Sequence, residues 1–128
     1  MSRVVMDASA LLALLNQERG AENLTPELLS AAVVSTVNFA EVHGKLLSKG
    51  LASEDAWKAT LTPIKEVVTF TSEHAKTAGD LITKTRGLGL SLGDRACLAL
   101  AMALKAPVYT TDRAWKKLDL GIRIHSIR

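Results

Sequence analysis

Short apolar runs alternate with longer stretches of helical periodicity along the chain, and that alternation leaves few folds open. Val4-Val5-Met6, Ala32-Val33-Val34-Ser35, the stretch 67–71, Val108-Tyr109-Thr110 and the stretch 122–127 read as strands. Between them, 8–16, 36–49, 53–61, 72–86 and 92–105 carry helical spacing, and 20–30 is a weaker helical stretch broken at Thr25-Pro26. Thr25, Ser53, Ser72 and Ser91 stand where N-caps are wanted. Gly50, Gly87 and Pro107 stand where helices should stop. Strands separated by helices pair in parallel, with the helices covering both faces. The expected fold is therefore a three-layer α/β/α arrangement around a central, mainly parallel sheet of four to five strands. No repeat, linker or low-complexity stretch divides the chain, so 1–128 is expected to form a single domain.

In such sheets, ligands bind beyond the carboxyl ends of the strands. Asp7 follows Val4-Val5-Met6 directly, and Asp112 follows Val108-Tyr109-Thr110-Thr111. Each has an ordinary explanation as a helix cap, the first for the helix from Ala8 and the second for a short helix over 113–118. Asp94, in Ser91-Leu92-Gly93-Asp94, falls three residues after a serine, where an acid closes a capping box. The helix that follows is apolar on every side until Lys105, so Asp94 stands at the mouth of a buried element. Glu41 is weakest by pattern. Phe39, Val42 and Leu46 share a face that it does not, and alone it reads as solvent-facing, in reach of Lys45.

Taken together, the four acids fall at strand ends or within about two turns after them. Carboxylates converging at one edge repel, and some would have to take up a proton. A hard divalent cation relieves that cost, and Mg²⁺ is held by carboxylates while keeping several waters. His43, His74 and His125 lack paired ligand spacing, and Cys97 faces the helix core. As the only cysteine, it also excludes an internal disulfide and points to a reducing cytoplasm. Residues 1–7 do not read as a signal peptide, and no apolar run approaches the ~20 residues of a membrane span, so no membrane partner is expected. The net charge of +3 permits an anionic partner without demanding one.

The segments V-V-M-D-A-S-A-L-L-A-L-L, S-T-V-N-F-A-E-V, L-S-L-G-D-R-A-C-L-A-L-A and V-Y-T-T-D-R-A-W, in this order and spacing, resemble the four motifs of the PIN-domain family, and within it the VapC-type toxins of toxin–antitoxin pairs. The resemblance covers essentially the whole chain and promotes Glu41. It departs from the pattern in one place. Some relatives carry a further acid after the fourth motif, where this chain has Ala114 and Trp115; Asp119 is not counted as a ligand.

The resemblance implies a metal-dependent endoribonuclease using Mg²⁺, with Mn²⁺ as a substitute. Asp7, Asp94 and Asp112 would be metal ligands, directly or through water. Glu41 would be a ligand or the group that orients the attacking water. Ser9, Asn38 and Thr111 are candidates to hold those ligands in place, Thr111 less so because strand alternation can turn it away. Arg95, Arg113, Lys116 and Lys117 individually read as solvated surface charge, but together they are candidates to bind RNA phosphates, with Trp115 near enough to stack on a base. The implied partners are RNA, a separately encoded antitoxin protein and a second copy of the chain. The alternative is a non-catalytic RNA-binding or assembly module that keeps its acids for capping. A phospho-acceptor receiver would need an aspartate closing the third strand, where V-V-T-F-T-S has none. A haloacid-dehalogenase phosphatase would need one at Ser9.

Overall fold

A computed structural model describes residues 2–128. Five strands form one sheet: β1 (Val4–Met6), β2 (Ala32–Ser35), β3 (Glu66–Val68), β4 (Val108–Thr110) and β5 (Ile124–Ser126). Their order is β3-β2-β1-β4-β5, and every neighbouring pair is parallel. The helices are α1 (Ala8–Leu15), α2 (Pro26–Leu29), α3 (Thr36–Ser48), α4 (Ser53–Leu61), α5 (Ser72–Lys84) and α6 (Leu92–Leu104). Two 3-10 turns complete the chain, over Ala21–Asn23 and Arg113–Lys117.

Period-two alternation divides the central strands between two cores. Val4, Met6, Ala32 and Val34 face one side and pack with Leu11, Phe39, Val42 and Ile64. Val5, Val33 and Val108 face the other and pack with Leu81, Cys97, Leu98, Leu100 and Trp115. β1 and β2 are buried along their whole length, as strands covered on both faces must be. This is the three-layer α/β/α fold that the alternation of elements predicts.

The N-caps refine two expectations. Thr25 caps α2 with Pro26 at its first position, and Ser91 caps α6 in a capping box with Asp94, as expected. Helix α5 is capped by Thr71, whose side chain accepts from the His74 N–H at 3.1 Å, so Ser72 lies one residue inside the helix. Both residues of Thr71-Ser72 are capable caps, and the first takes the role. Helix α4 starts after Ala52 without a side-chain cap, and Ser53 is its first helical residue.

The chain winds outward from β1 through β2 to β3, then returns to the other side of β1 with β4. The gap between β1 and β4 is thus the point where strand order reverses, which is where open parallel sheets bind ligands beyond the strand ends. Asp7 follows β1 and Asp112 follows β4, on either side of that point.

Candidate active site

Asp7 lies at the switch point, directly after β1. It caps α1, its Oδ1 accepting from the Ala10 N–H at 2.8 Å. The Thr110 hydroxyl donates to Oδ2 at 2.6 Å, and Ser9 Oγ lies 2.8 and 2.9 Å from the two carboxylate oxygens. The side chain is only 3 % exposed. Burial dominates and raises its pKa from 3.8 to about 6, against the lowering effect of the three hydrogen bonds; the nearby charge of Asp94 adds to the rise.

Thr110 was not among the residues expected to support the site, and it is central to it. Its Oγ1 donates to Asp7 and accepts from the Asp112 N–H at 3.1 Å, which joins the first acid to the last. Thr111 contributes its backbone N–H to Ser9 Oγ at 3.1 Å. The signal for Thr110 was its place as the last inward residue of a strand, but a threonine there also reads as an ordinary β-former.

Glu41 leans from α3 onto the first turn of α6. Asn38, one turn earlier and 1 % exposed, donates from Nδ2 to Glu41 Oε1 and to the Gly93 carbonyl, both at 2.9 Å. Among the described residues Glu41 makes no ion pair with Lys45. Asp94, the residue after Gly93, accepts from the Ser91 N–H through Oδ2 at 3.0 Å. One turn farther along α6, the Cys97 thiol is pushed well up by burial first, and then by the negative charges of Asp7, Asp94 and Glu41. Three carboxylates from β1, α3 and α6 therefore act on one buried atom, and that atom is no thiolate nucleophile. Asp112 is exposed, and its Oδ1 caps the 3-10 turn by accepting from the Ala114 N–H at 2.9 Å.

The donor set is all oxygen, and among the described residues no arginine, lysine or histidine pairs with Asp7, Glu41, Asp94 or Asp112. Nor are three or more His, Cys, Asp or Glu side chains grouped closely enough to hold a metal ion among those residues. Glu41, Asp94 and Asp112 each commit one oxygen to the scaffold and leave the other without a protein donor among the described residues. The buried Asn38 Oδ1 is also left without a partner. Unpaired carboxylate oxygens that do not close on one point suit a cation that keeps part of its water shell, which is how Mg²⁺ is held. They match zinc less well, since its tetrahedral sites are built mainly on Cys and His.

The basic residues fall in two groups. Arg95 turns toward α5, where Nη1 donates to the Ala78 carbonyl at 2.8 Å. Arg113, Lys116 and Lys117 are exposed on the 3-10 turn that Asp112 caps. Trp115 is 1 % exposed and packs in the core with Leu98 and Leu100, so it cannot stack on a base as expected. The turn folds back onto the α6 side of the sheet and carries the indole inward.

The family profile for the PIN domain matches residues 4–120. No protein of curated function matches the sequence. Among solved structures, a toxin–antitoxin complex from Klebsiella pneumoniae superposes with a TM-score of 0.77 at 15% identity, covering 98% of this chain and 98% of that one. VapBC2 from Rickettsia felis, bound to a promoter DNA fragment, gives 0.73 at 20% identity, covering 96% and 97%. VapC20 from Mycobacterium tuberculosis, described as a sarcin-ricin loop cleaving toxin, gives 0.71 at 17% identity, covering 94% and 98%. At these identities the likeness is one of fold.

Proposed function

The chain belongs to the PIN domain family, and we propose that it is a metal-dependent endoribonuclease, the toxin half of a toxin–antitoxin pair. The observation that supports this reading is that Asp7, Glu41 and Asp94 all raise the pKa of the Cys97 thiol while Thr110 joins Asp7 to the backbone of Asp112, at the switch point of a parallel sheet and without a cationic side chain to neutralise them. An apolar scaffold does not gain from gathered carboxylates. A site that must hold a divalent cation beside a phosphodiester does.

Mg²⁺ or Mn²⁺, when bound, would supply charge neutralisation at phosphorus and an acidified water. Asp7, Asp94 and Asp112 would hold it, directly or through water. Thr110 and Ser9 keep the Asp7 carboxylate in one orientation, and Asn38 does the same for Glu41. Glu41, which is exposed, would accept a proton from the attacking water or add a ligand. Arg113, Lys116 and Lys117 would meet RNA phosphates beside the cut. The separately encoded antitoxin finds support in the toxin–antitoxin complexes that share this fold. A homodimer and a cytoplasmic setting belong to the same reading.

The test is incubation of purified, partner-free protein with total cellular RNA in Mg²⁺, followed by mapping of new ends. Discrete cuts bearing 5′-phosphate and 3′-hydroxyl ends are expected, because water and not the RNA 2′-hydroxyl is the nucleophile. Excess EDTA should stop the reaction. Undiminished cleavage in EDTA, or 2′,3′-cyclic phosphate ends, would overturn the mechanism. Binding of RNA without cleavage and without Mg²⁺ uptake would identify a non-catalytic module instead.

A further inference from the structure

Glycine is a poor helix former, yet Gly93 occupies the second position of α6 with no left-handed backbone to require it. The other helical glycines, Gly44 and Gly79, would each direct a Cβ into open space. At Gly93 a Cβ would collide with the carboxylate of Glu41, whose Oε1, Cδ and Oε2 are the three nearest atoms. The missing side chain is the space that the glutamate head occupies.

The same glycine anchors the glutamate through its backbone. Its carbonyl accepts from Asn38 Nδ2, and that amide group also donates to Glu41 Oε1. Both acceptors are oxygens, so the amide is fixed in one orientation and clamps α3 to α6. The glutamate head also rests on the first turn of α6, where unpaired backbone N–H groups and the helix dipole favour a negative charge. An exposed side chain is thereby held against Gly93, the residue before Asp94, without a cationic partner among the described residues.

We propose that Gly93 is a positioning residue of the site: it admits the Glu41 carboxylate onto α6, and with Asn38 it fixes where that carboxylate stands. The proposal rests on the reading of Glu41 as a member of the reacting set.

Gly93→Ala separates this role from a structural one. The obstructing group is the far end of a flexible side chain, so it can swing into solvent while alanine favours the helix. In EDTA the variant should melt at or above the parent temperature. A crystal structure of the metal-free variant should show the carboxylate withdrawn from Gly93 and Asn38. In Mg²⁺, kcat for RNA cleavage should fall roughly 10- to 100-fold, the scale of a lost supporting contact, with KM little changed. Glu41→Asp shortens the side chain by one methylene, so in the Gly93→Ala background it should restore activity above the product of the two single losses.

The proposal is overturned if Gly93→Ala keeps the carboxylate in place and cleaves at the parent rate. It is also overturned if the variant loses the same melting temperature in the parent and in a Glu41→Ala background, because the glycine would then serve only the packing of α6. A parent protein that cuts no RNA would sink the nuclease reading. The crystal structure and melting data would still decide whether Gly93 places Glu41.

Discussion

At Asp7, donors on Ala10, Ser9 and Thr110 reach a carboxylate almost wholly removed from water, and they do not offset the loss of hydration. The consequence for stability follows from linkage. An acid whose folded pKa, about 6, lies above its unfolded value of 3.8 binds more protons in the native state. The metal-free protein therefore gains stability from this group below pH 4 and loses it as pH rises through 6. At pH 7.5 the ionised carboxylate costs about 3 kcal/mol, on the order of two pKa units. Asp7→Asn keeps an acceptor for the Ala10 N–H and removes the charge. In EDTA, parent and variant should unfold alike near pH 4, and the variant should be the more stable at pH 7.5. Other acids titrate too, and Glu18, held low by Asn16 and Arg128, slopes the opposite way. Urea titrations of the pair at both pH values cancel those common terms. A constant difference across the range would mean that Asp7 is not a strained acid. Cleavage in Mg²⁺ should vanish in the same variant, since a neutral amide cannot replace an anionic ligand.

In a parallel sheet, the helix that follows each strand begins at the strand's carboxyl end, so N-caps and ligands compete for the same positions. Here they coincide. Asp7, Asp94 and Asp112 all accept from backbone N–H groups at the start of a helix or 3-10 turn, and all three are the proposed metal ligands. That is why each acid, weighed alone in the sequence, reads equally well as a cap. Element types were legible because patterns were long or doubly marked: the buried runs of β1 and β2, and α6 between Ser91 and Pro107. Thr110 and Gly93 were not legible as site residues, because their roles lie in contacts with Asp7 and Glu41, distant in sequence. Trp115 misled for a similar reason: a short polar segment does not reveal which way a 3-10 turn carries its one large side chain. The two functions of a cap can be pulled apart on α6. Ser91→Ala deletes the cap that accepts the Asp94 N–H, and it should cost about 1 kcal/mol of stability while cleavage persists. Asp94→Asn keeps an oxygen for the Ser91 N–H, and it should melt close to the parent yet lose cleavage. Melting in EDTA and cleavage in Mg²⁺, measured on the same preparations, should show that crossover. Parallel losses in both variants would make Asp94 a cap and nothing more.

Over the whole molecule, the net charge of +3 is too small for a uniform field to select a polyanion, so binding must depend on where cations stand. Arg95 is unsuited to the task, since releasing it would break its bond to the Ala78 carbonyl between α6 and α5. Lys76 pairs with Asp80, and Arg3 with Glu66. Of the other cations, Arg113, Lys116 and Lys117 are three exposed ones gathered within one 3-10 turn whose start Asp112 caps. Arg113 spends only a 3.3 Å bond on the Arg128 carbonyl, which water can replace. A 3-10 turn rises about 2 Å per residue, so the cations extend roughly 10 Å from Asp112. At 3.4 Å per nucleotide of a stacked strand, that is about three nucleotides of backbone to one side of the cut. Each phosphate neutralised on single-stranded RNA contributes roughly 0.7 to the slope of log affinity against log salt. Replacing all three by alanine in an Asp7→Asn background, where the RNA stays intact, should lower that slope by up to about 2 and weaken binding most at low salt. Melting temperature should barely move, because none of the three is buried. A Trp115→Ala variant behaves in the opposite way: about 3–5 kcal/mol of stability is lost from the core, and the salt slope per folded molecule is unchanged. If the triple variant keeps the parent slope, the RNA backbone does not follow this turn, and the three cations are ordinary solvated surface.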